Sequence, residues 1–412
     1  MALKDFRKAM EKVTKDHKDA IAKADANTLI HKLSFDSPQL TYMFGGFSYD
    51  RIHNFFGPES SGKSSMFTYI AGQLQKKMPL QKPEWAEKQV VVYMDFERTF
   101  DPNYATTLGM NCDEDHLVLL QPDTLEEGCA ITEALIKESK DAVCCVILDS
   151  DAAAPTNLDA ESEMGATGFN GAKAANTLKE VYKRFNILCS NYRFPLLVVS
   201  QERANLSSPM AHLPSQTGGT ALRFFSSTRC RIQKMDAIKK ADDVIGIQIR
   251  VRNYKNKTSV PNRDALMNLY FDGGFNSTAE YLQFIIDFDL IHKAGGWYSW
   301  VDEENKLGEM ETNKKGEQEP KIYKWQGGEK VQAWLEEHTE IYDEFKKLVD
   351  SKLCVANELD ANNVDPEAED AAEKGIRLTA PTAAQKKEIE DLAAEALEAA
   401  KEMGVEAPVE KE

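Results

Sequence analysis

The chain has 412 residues, of which 42% are hydrophobic and 28% charged, and its formal net charge is −17. This length and composition indicate a globular protein with one large domain and appendages, or with two to three domains. Its apolar runs fall far short of the ~20 residues of a membrane-spanning helix, and acidic residues near the start argue against a transit peptide, so no membrane partner is expected. The seven cysteines lack paired metal-ligand spacing, which favours buried thiols in a reducing compartment and a cytoplasmic protein.

The first predicted element is an amphipathic helix over residues 2–25. Its apolar side chains fall close to one face at helical spacing: Phe6, Ala9, Met10, Val13, Ala20, Ile21 and Ala24. A lone helix of this length is marginal in water, so this face must pack on its own domain or on a neighbouring subunit, and the pattern leaves both open. Residues 27–50 contain Pro38 and the pair Gly45-Gly46 with few apolar runs, which predicts a linker.

A phosphate-binding loop is predicted where an apolar strand, residues 52–56, meets a helical pattern. The loop residues are Gly57, Pro58, Glu59, Ser60, Ser61, Gly62, Lys63, Ser64 and Ser65. Gly57 and Gly62 let the backbone curl so that its N–H groups and the helix N-terminus converge on a triphosphate. Lys63 would neutralise phosphate oxygens, and the Ser64 hydroxyl would bind Mg²⁺. A chance turn rich in glycine and serine is the alternative, but strand, spacing and helix together favour a nucleoside triphosphate site.

Apolar strands and helices then alternate along the chain. Strands are predicted at residues 89–95, 142–148 and 195–200, and helices from residue 102, at 125–139 and at 172–191. Such an alternation predicts an α/β fold with a mainly parallel sheet covered by helices on both faces. Ligands of such sheets bind at the carboxyl ends of the strands. Four polar side chains lie at or just beyond those ends: Ser64, Glu97, Asp149 and Gln201.

These strand-end side chains suit the hydrolysis of a nucleotide. Asp149 would assist Mg²⁺ through its water shell, and Glu97 would act as general base or position the attacking water. A solvated strand-end carboxylate is the alternative for Glu97. Gln201 could sense the γ-phosphate, although its spacing alone favours an amide satisfied by backbone groups.

Seven segments stand in the order and approximate spacing of the bacterial RecA recombinase family: GPESSGKSS, YMDFERTFDPNYA, ILDSDAA, VVSQERA, TGGTALRFF, YKNK and IHKAGGWYSW. The chain resembles this family over roughly residues 2–350. The resemblance implies a RecA-type P-loop NTPase core, an N-terminal helix and a small α+β C-terminal domain. It implies an oligomerisation helix and linker at 1–34, an ATPase core with two DNA-binding loops at 35–272, the small domain at 273–353, and an acidic tail with an amphipathic helix at 354–412.

The resemblance also implies roles for residues of the nucleotide site. The loop residues would hold ATP and Mg²⁺, with Asp149 completing the metal site. Asp101 and Tyr104 would face the adenine. Glu97 and Lys63 would be catalytic, and Gln201 would link the γ-phosphate to a DNA-binding loop.

A third set of residues would work between subunits. The resemblance implies that Lys255 and Lys257 reach the ATP of a neighbouring subunit, where they stabilise transition-state charge as an arginine finger would. Phe224 would lie at the same interface. Without the family, the pattern predicts only a solvated basic strand end and a core aromatic side chain.

Two loops, residues 155–171 and 202–220, are too long to be plain connections and would face DNA. The implied DNA-binding residues are Lys173, Lys179, Lys183, Arg203, Gly218, Gly219 and Thr220. The first loop departs from the family, because it carries Asp159, Glu161 and Glu163, and Asn176 stands where an arginine is expected. Weaker DNA binding is therefore expected, and a function without DNA stays open.

The C-terminal part contains an aromatic cluster, Trp297, Tyr298 and Trp300, that we expect in a core rather than in a base-stacking platform. Residues 303–323 are a predicted surface loop or hairpin. The part of the chain from Glu358 onward contains 16 acidic and 6 basic residues. It includes a predicted amphipathic helix that begins at Thr382. This helix would pack on its own core, another subunit, or a replication or recombination protein, and the acidic tail would compete with DNA for basic surfaces.

The favoured function is an ATP-dependent recombinase that forms helical homo-oligomeric filaments on single-stranded DNA and catalyses pairing and strand exchange with double-stranded DNA. Single-strand-binding or mediator proteins are possible further partners. The alternative is a RecA-fold DNA-dependent ATPase or helicase-type motor without pairing activity. A P-loop kinase would need an acceptor site and a lid, and the sequence indicates neither.

Overall fold

The computed structural model describes residues 31–139, 141–161, 170–203, 215–216, 219–241, 243–313 and 316–353. These residues divide into a large unit, which comprises the residues up to Glu280 together with residues 350–353, and a small unit, which comprises Tyr281–Val349. The predicted N-terminal helix, the acidic tail and the terminal helix lie outside the described residues. No helix in the described ranges is long and apolar enough to cross a membrane.

The large unit alternates strands and helices. Its described strands are β1 (Lys32–Leu33), β2 (Phe47–Ser48), β3 (Ile52–Gly57), β4 (Val90–Asp95), β5 (Leu117–Leu120), β6 (Val143–Asp149), β7 (Leu196–Arg203), β8 (Ser215–Gln216), β9 (Thr228–Lys240), β10 (Asp243–Asn256), β11 (Asp264–Tyr270) and β12 (Gly274–Phe275). Its described helices are α1 (Pro38–Phe44), α2 (Lys63–Lys77), α3 (Pro102–Thr107), α4 (Leu125–Glu138), α5 (Asn157–Glu161), α6 (Asn170–Tyr192) and α7 (Gly219–Phe225). Helix α8 (Thr278–Asp287) crosses the boundary between the units.

The central sheet has the strand order β12-β11-β10-β9-β3-β7-β6-β4-β5, with β8 paired to the end of β7. Strands β3 to β7 and the start of β9 run parallel, while β9 to β12 form antiparallel pairs. The register aligns Gly57 with Gln201 and Asp95 with Asp149. The carboxyl ends of the central strands therefore meet at one edge, as predicted.

Both faces of the parallel strands are buried, which explains their continuous apolar sequences. Alternate residues of β6 enter two different cores: Cys145 and Ile147 pack in the cluster that contains α2, and Val146 and Leu148 pack in the cluster that contains α4 and α6. A side-chain period of two along each strand produces this division. The predicted α/β fold with helices on both faces is confirmed.

The prediction of a linker at 27–50 is wrong for its described part. Ser37 caps the N-terminus of α1 by accepting from the backbone N–H of Leu40. The rings of Phe35, Phe44 and Phe47 are fully buried and pack edge or tilted against one another, with centroids 4.9 to 6.1 Å apart. The segment lacks a regular apolar period because it folds in short pieces, so the sequence pattern concealed its contribution to the core.

Other differences concern strands. The connection expected before α4 contains β5, an edge strand of four residues. Strands β9 and β10 form a long antiparallel pair that the apolar pattern did not indicate, because the outer half of β9, residues 234–240, is largely exposed. The boundary predicted after residue 272 falls before β12, which still belongs to the large unit.

The small unit contains the sheet β13 (His292–Ala294), β14 (Trp297–Val301) and β17 (Ile322–Gln326), the hairpin β15 (Met310–Thr312) with β16 (Gln318–Pro320), helix α9 (Gly328–Glu337), and helix α10 (Thr339–Lys352) up to Val349. The predicted hairpin within 303–323 is confirmed. The ring of Trp300 packs against Trp334 and Phe345, with centroids 5.6 and 5.8 Å away. Trp297 is 49% exposed, so the prediction that it is a core residue is wrong.

Candidate nucleotide site

The phosphate-binding loop joins the end of β3 to the start of α2, and its two outer glycines are required by the backbone. Gly62 has φ +87°, a left-handed conformation that side chains with a Cβ rarely adopt. A Cβ on Gly57 would lie 2.2 Å from the carbonyl oxygen of Ile232 on β9. The loop therefore passes close to the neighbouring strand and turns directly into the helix N-terminus, where N–H groups and the helix dipole favour an anion.

Lys63 is the first residue of α2, and its side chain lies over the loop. Its Nζ donates to the carbonyl oxygens of Gly57 at 3.2 Å and Pro58 at 2.6 Å. Burial lowers the pKa of the Lys63 ammonium, and the nearby carboxylates of Asp149 and Glu97 oppose this shift. The cation is thus placed beside the same N–H groups that would bind phosphate.

Asp149 ends β6 and is only 2% exposed. Its Oδ2 accepts hydrogen bonds from the Ser64 hydroxyl at 2.9 Å and from the Tyr93 hydroxyl at 2.6 Å. Its Oδ1 is buried and makes no hydrogen bond to any described residue. Burial raises the pKa of Asp149, while the hydrogen bonds from Tyr93 and Ser64 lower it.

These donors fit a magnesium ion bound together with a nucleotide. Mg²⁺ prefers oxygen ligands and usually binds through one or two carboxylates plus substrate phosphates. Ser64 and the bare Oδ1 of Asp149 supply such oxygens on the protein side. Within the described ranges no group of three His, Cys, Asp or Glu side chains could hold a metal by itself.

Glu97 lies just beyond β4 and accepts hydrogen bonds from side chains at the ends of two other strands, β6 and β7. Its Oε1 accepts from the Ser150 hydroxyl at 2.6 Å and from the Gln201 amide Nε2 at 3.2 Å. The sequence alternative, in which backbone groups bond to the Gln201 amide, does not account for this contact, because the amide donates to a side chain. Asp95 accepts from the backbone N–H groups of Thr99 and Phe100, which fixes the turn that carries Glu97.

The two residues expected at the adenine have different positions. Asp101 caps α3 by accepting from the backbone N–H groups of Asn103 and Tyr104 at 2.9 and 3.3 Å. The Tyr104 hydroxyl lies 3.1 Å from Ser65 Oγ, at the start of α2. Tyr104 therefore borders the loop directly, and Asp101 orients the short helix that carries it.

Lys255 and Lys257 do not lie at the loop of their own chain. Lys255 pairs with Arg229, which pairs with Asn54 near the start of β3, whereas the loop follows the end of that strand. Both ammonium groups donate to backbone carbonyls at the C-terminal end of α7, including that of Phe224. Burial and the charges of Lys257 and Arg229 lower the pKa of Lys255 to about 8.

Phe224 is 74% exposed, so the alternative of a core side chain is wrong. It projects from α7 beside the two lysines. A large exposed aromatic ring next to a group of cations is typical of an interaction surface.

The residues expected to bind DNA are only partly described. Lys179 and Lys183 are exposed one turn apart on α6, whose first residues include Lys173. Arg203 ends β7, and Gly219 and Thr220 begin α7, while Gly218 lies outside the described residues. Arg203, Gly219 and Thr220 therefore lie at the ends of the second loop and Lys173 lies just after the first, whereas Lys179 and Lys183 lie further along α6.

One ion pair beside the site was not indicated by any motif. Arg231 on β9 donates from Nε and an Nη to both carboxylate oxygens of Glu202 on β7, at 2.7 and 3.0 Å. β3 lies between these strands but ends at Gly57, level with Gln201. The pair therefore bridges β7 and β9 just beyond the end of β3.

A mainly parallel sheet with a phosphate-binding loop after its central strand, and with acidic strand ends beside it, defines a P-loop nucleotide-binding protein. A family model described as the RecA N-terminal domain matches residues 4–276. Protein RecA of Limosilactobacillus reuteri (strain DSM 20016) is 30% identical over 335 residues, 81% of this chain and 82% of the relative.

Two further relatives carry the same name. Protein RecA of Rickettsia canadensis (strain McKiel) is 29% identical over 323 residues, 78% of this chain and 84% of the relative. Protein RecA of Listeria ivanovii is 29% identical over 325 residues, 79% of this chain and 82% of the relative. The chain belongs to the RecA family. It is a RecA-type recombinase and DNA-dependent ATPase, and the alternative of a motor without pairing activity is not favoured.

Proposed function

We propose that the chain binds ATP with Mg²⁺ at the loop between β3 and α2, and that it hydrolyses this ATP between subunits of a filament on single-stranded DNA. The cluster of Ser64, Asp149, Glu97 and Gln201 at one sheet edge is the observation that carries this proposal. The filament would pair this DNA with a homologous duplex. A cytoplasmic location and binding to mediator proteins remain predictions from the sequence.

Each residue at the loop has a defined task in this proposal. The N–H groups of the loop and the Lys63 ammonium bind the phosphates, and Ser64 with Asp149 would hold Mg²⁺. Mg²⁺, when bound, supplies positive charge that offsets the charge of the phosphates. Glu97 accepts a proton from the attacking water or orients it, and its contacts with Ser150 and Gln201 hold its Oε1 in place.

Gln201 gives the site a connection to the second loop. Its amide contacts Glu97, and two residues further on β7 ends at the point where that loop begins. A γ-phosphate that accepted the hydrogen bond of the Gln201 amide in place of Glu97 would displace the start of the second loop. This geometry supports the expected link between nucleotide state and DNA binding.

Lys255 and Lys257 would act on the nucleotide of a neighbouring subunit. The Lys257 backbone bonds to Ser227, which bonds to Ile52, so this lysine lies level with the first residue of β3. The loop follows the last residue of that strand, about 17 Å away at ~3.3 Å per residue. Burial and the like charges of Lys257 and Arg229 lower the pKa of Lys255, and such a group of cations favours an anionic partner. The exposed Phe224 lies on the same surface.

The test measures ATP hydrolysis with and without single-stranded DNA. We expect the DNA to stimulate hydrolysis, and we expect Lys255→Ala to abolish stimulated hydrolysis while ATP binding to the isolated subunit is unchanged. Lys137→Ala is the matched control, because Lys137 is an exposed lysine of α4 paired only with Glu133 in the described contacts. Loss of nucleotide binding in Lys255→Ala would contradict the role between subunits, and hydrolysis indifferent to DNA would contradict the function.

A further inference from the structure

Tyr93 is a polar side chain inside the core beneath the nucleotide site. It lies in the middle of β4, is 2% exposed, and packs its ring against Phe100 with centroids 4.7 Å apart. Its hydroxyl donates to Asp149 Oδ2 at 2.6 Å. Tyr93 begins one of the segments that carry the family resemblance, but the sequence analysis gives its side chain no role, and the function proposed above does not use its hydroxyl.

The hydrogen bonds at Asp149 are one-sided. Oδ2 accepts from both Tyr93 and Ser64, whereas Oδ1 is buried and accepts from no group in the described part of the chain. Unpaired buried carboxylate oxygens are costly, so they persist where a ligand is needed. Both donors therefore hold the carboxylate through Oδ2 and leave Oδ1 available to a ligand.

The two donors are not equivalent. Ser64 is exposed, and it is itself expected to bind the metal, so its hydroxyl has to serve two partners. Tyr93 lies on β4, which is hydrogen-bonded to β5 on one side and to β6 on the other, and its ring packs in the hydrophobic core. Tyr93 is therefore the donor that can hold Asp149 independently of the nucleotide.

We propose that Tyr93 is a positioning residue, whose phenol orients the Asp149 carboxylate so that Oδ1 serves the Mg²⁺ of a bound nucleotide. This inference rests on the proposed function. Partners behind a metal ligand fix its orientation, and their loss commonly weakens metal binding 10- to 100-fold. Because Tyr93 acts through Asp149 and touches neither nucleotide nor metal, its removal should change metal dependence before it changes nucleotide binding as such.

The experiment compares the wild type with Tyr93→Phe by the fluorescence of a labelled ADP as Mg²⁺ is added. We expect the half-saturating Mg²⁺ concentration to rise about tenfold in Tyr93→Phe, with unchanged nucleotide affinity in EDTA. Bound Mn²⁺, followed by electron paramagnetic resonance, should weaken in parallel. Tyr49→Phe is the control, since Tyr49 is also fully buried but precedes β3, at the opposite end of that strand from the loop.

A double-variant comparison separates positioning from general damage to the core. In an Asp149→Asn background, Tyr93→Phe should add little, because the carboxylate that it orients is gone. An additional loss as large as in the wild type would overturn the proposal, as would an unchanged Mg²⁺ requirement in Tyr93→Phe. A wild type without Mg²⁺-dependent nucleotide binding would instead overturn the proposed function itself.

Discussion

His53 shows how a buried side chain in β3 depends on its protonation state. Its Nε2 lies 2.6 Å from the carbonyl oxygen of Ser48, which can only accept, so Nε2 carries the proton. Its Nδ1 then accepts from the Thr228 hydroxyl at 2.7 Å. The ring stacks on Phe47, and burial lowers the pKa of His53 to about 4.

We expect this histidine to make the large unit sensitive to acid. The unfolded chain takes up a proton near pH 6.5 and the folded protein near pH 4, so the contribution of His53 is complete above pH 6.5 and falls as the pH drops toward 4. His53→Gln should be less stable at neutral pH by about 1–3 kcal/mol, but its stability should fall less between pH 6.5 and 4.

Denaturant unfolding at a series of pH values measures this difference. His116→Gln is a suitable control, because His116 is a partly exposed histidine of the same unit. Parallel stability curves for the wild type and His53→Gln would show that His53 does not cause the acid sensitivity.

At the level of single residues, the sequence predicted the site residues that belong to a local motif or directly follow a recognisable strand. Lys63 and Ser64 belong to a motif, and Asp149 and Glu97 follow apolar strands. Tyr93 could not be found in this way, because its hydroxyl meets Asp149 only through the register of β4 and β6. The role of such a residue depends on which strands are adjacent, and a linear pattern does not contain that information.

The ion pair between β7 and β9 shows how a contact between side chains stabilises the end of a strand. Glu202 and Arg231 form a bidentate ion pair across the end of β3, because Arg231 is level with Phe56 and Glu202 follows Gln201, which is level with Gly57. Bidentate arginine–carboxylate pairs have restricted geometry and are stronger than single contacts. This pair therefore holds the end of β7, from which the second loop begins.

We expect removal of either partner to destabilise the large unit. Glu202→Gln and Arg231→Gln should each lose about 1–3 kcal/mol, and the double variant should lose less than the sum, with a coupling free energy of about 1 kcal/mol or more. Denaturant unfolding of the four proteins gives this coupling. The exposed pair Arg98–Asp123 provides the control, with an expected coupling below about 0.5 kcal/mol; equal coupling in the two pairs would contradict the prediction.

At the level of elements, the strands with continuous apolar sequences were predicted correctly. β5 has only four residues, and the segment around α1 is built from short pieces, so neither produces a period long enough to detect. β9 is largely exposed over its outer half, residues 234–240, where β10 is its only neighbour among the described strands. Edge and protruding strands lack the buried faces from which sequence patterns arise.

For the whole molecule, the charge distribution predicts an effect of the acidic tail on DNA binding. Of the 67 acidic residues, 16 lie from Glu358 onward, against 6 of the 50 basic residues. Deletion of residues 355–412 should strengthen binding to duplex DNA, by about tenfold at low salt and less at high salt, because repulsion between like charges is screened.

Fluorescence anisotropy with a labelled duplex at two salt concentrations tests this prediction. A full-length variant whose tail acids are replaced by Gln and Asn is the matched control, and it should behave like the deletion if charge is the cause. Duplex binding that is the same with and without the tail would contradict it.

The distribution of tryptophan between the two units determines what optical experiments on this protein will report. Four of the five tryptophans, Trp297, Trp300, Trp325 and Trp334, belong to the small unit. The large unit contains Trp85, which is buried between the ammonium groups of Lys82 and Lys88. Intrinsic emission will therefore follow mainly the small unit, and a variant with phenylalanine at the other four positions would leave Trp85 as a single probe of the unit that contains the nucleotide site.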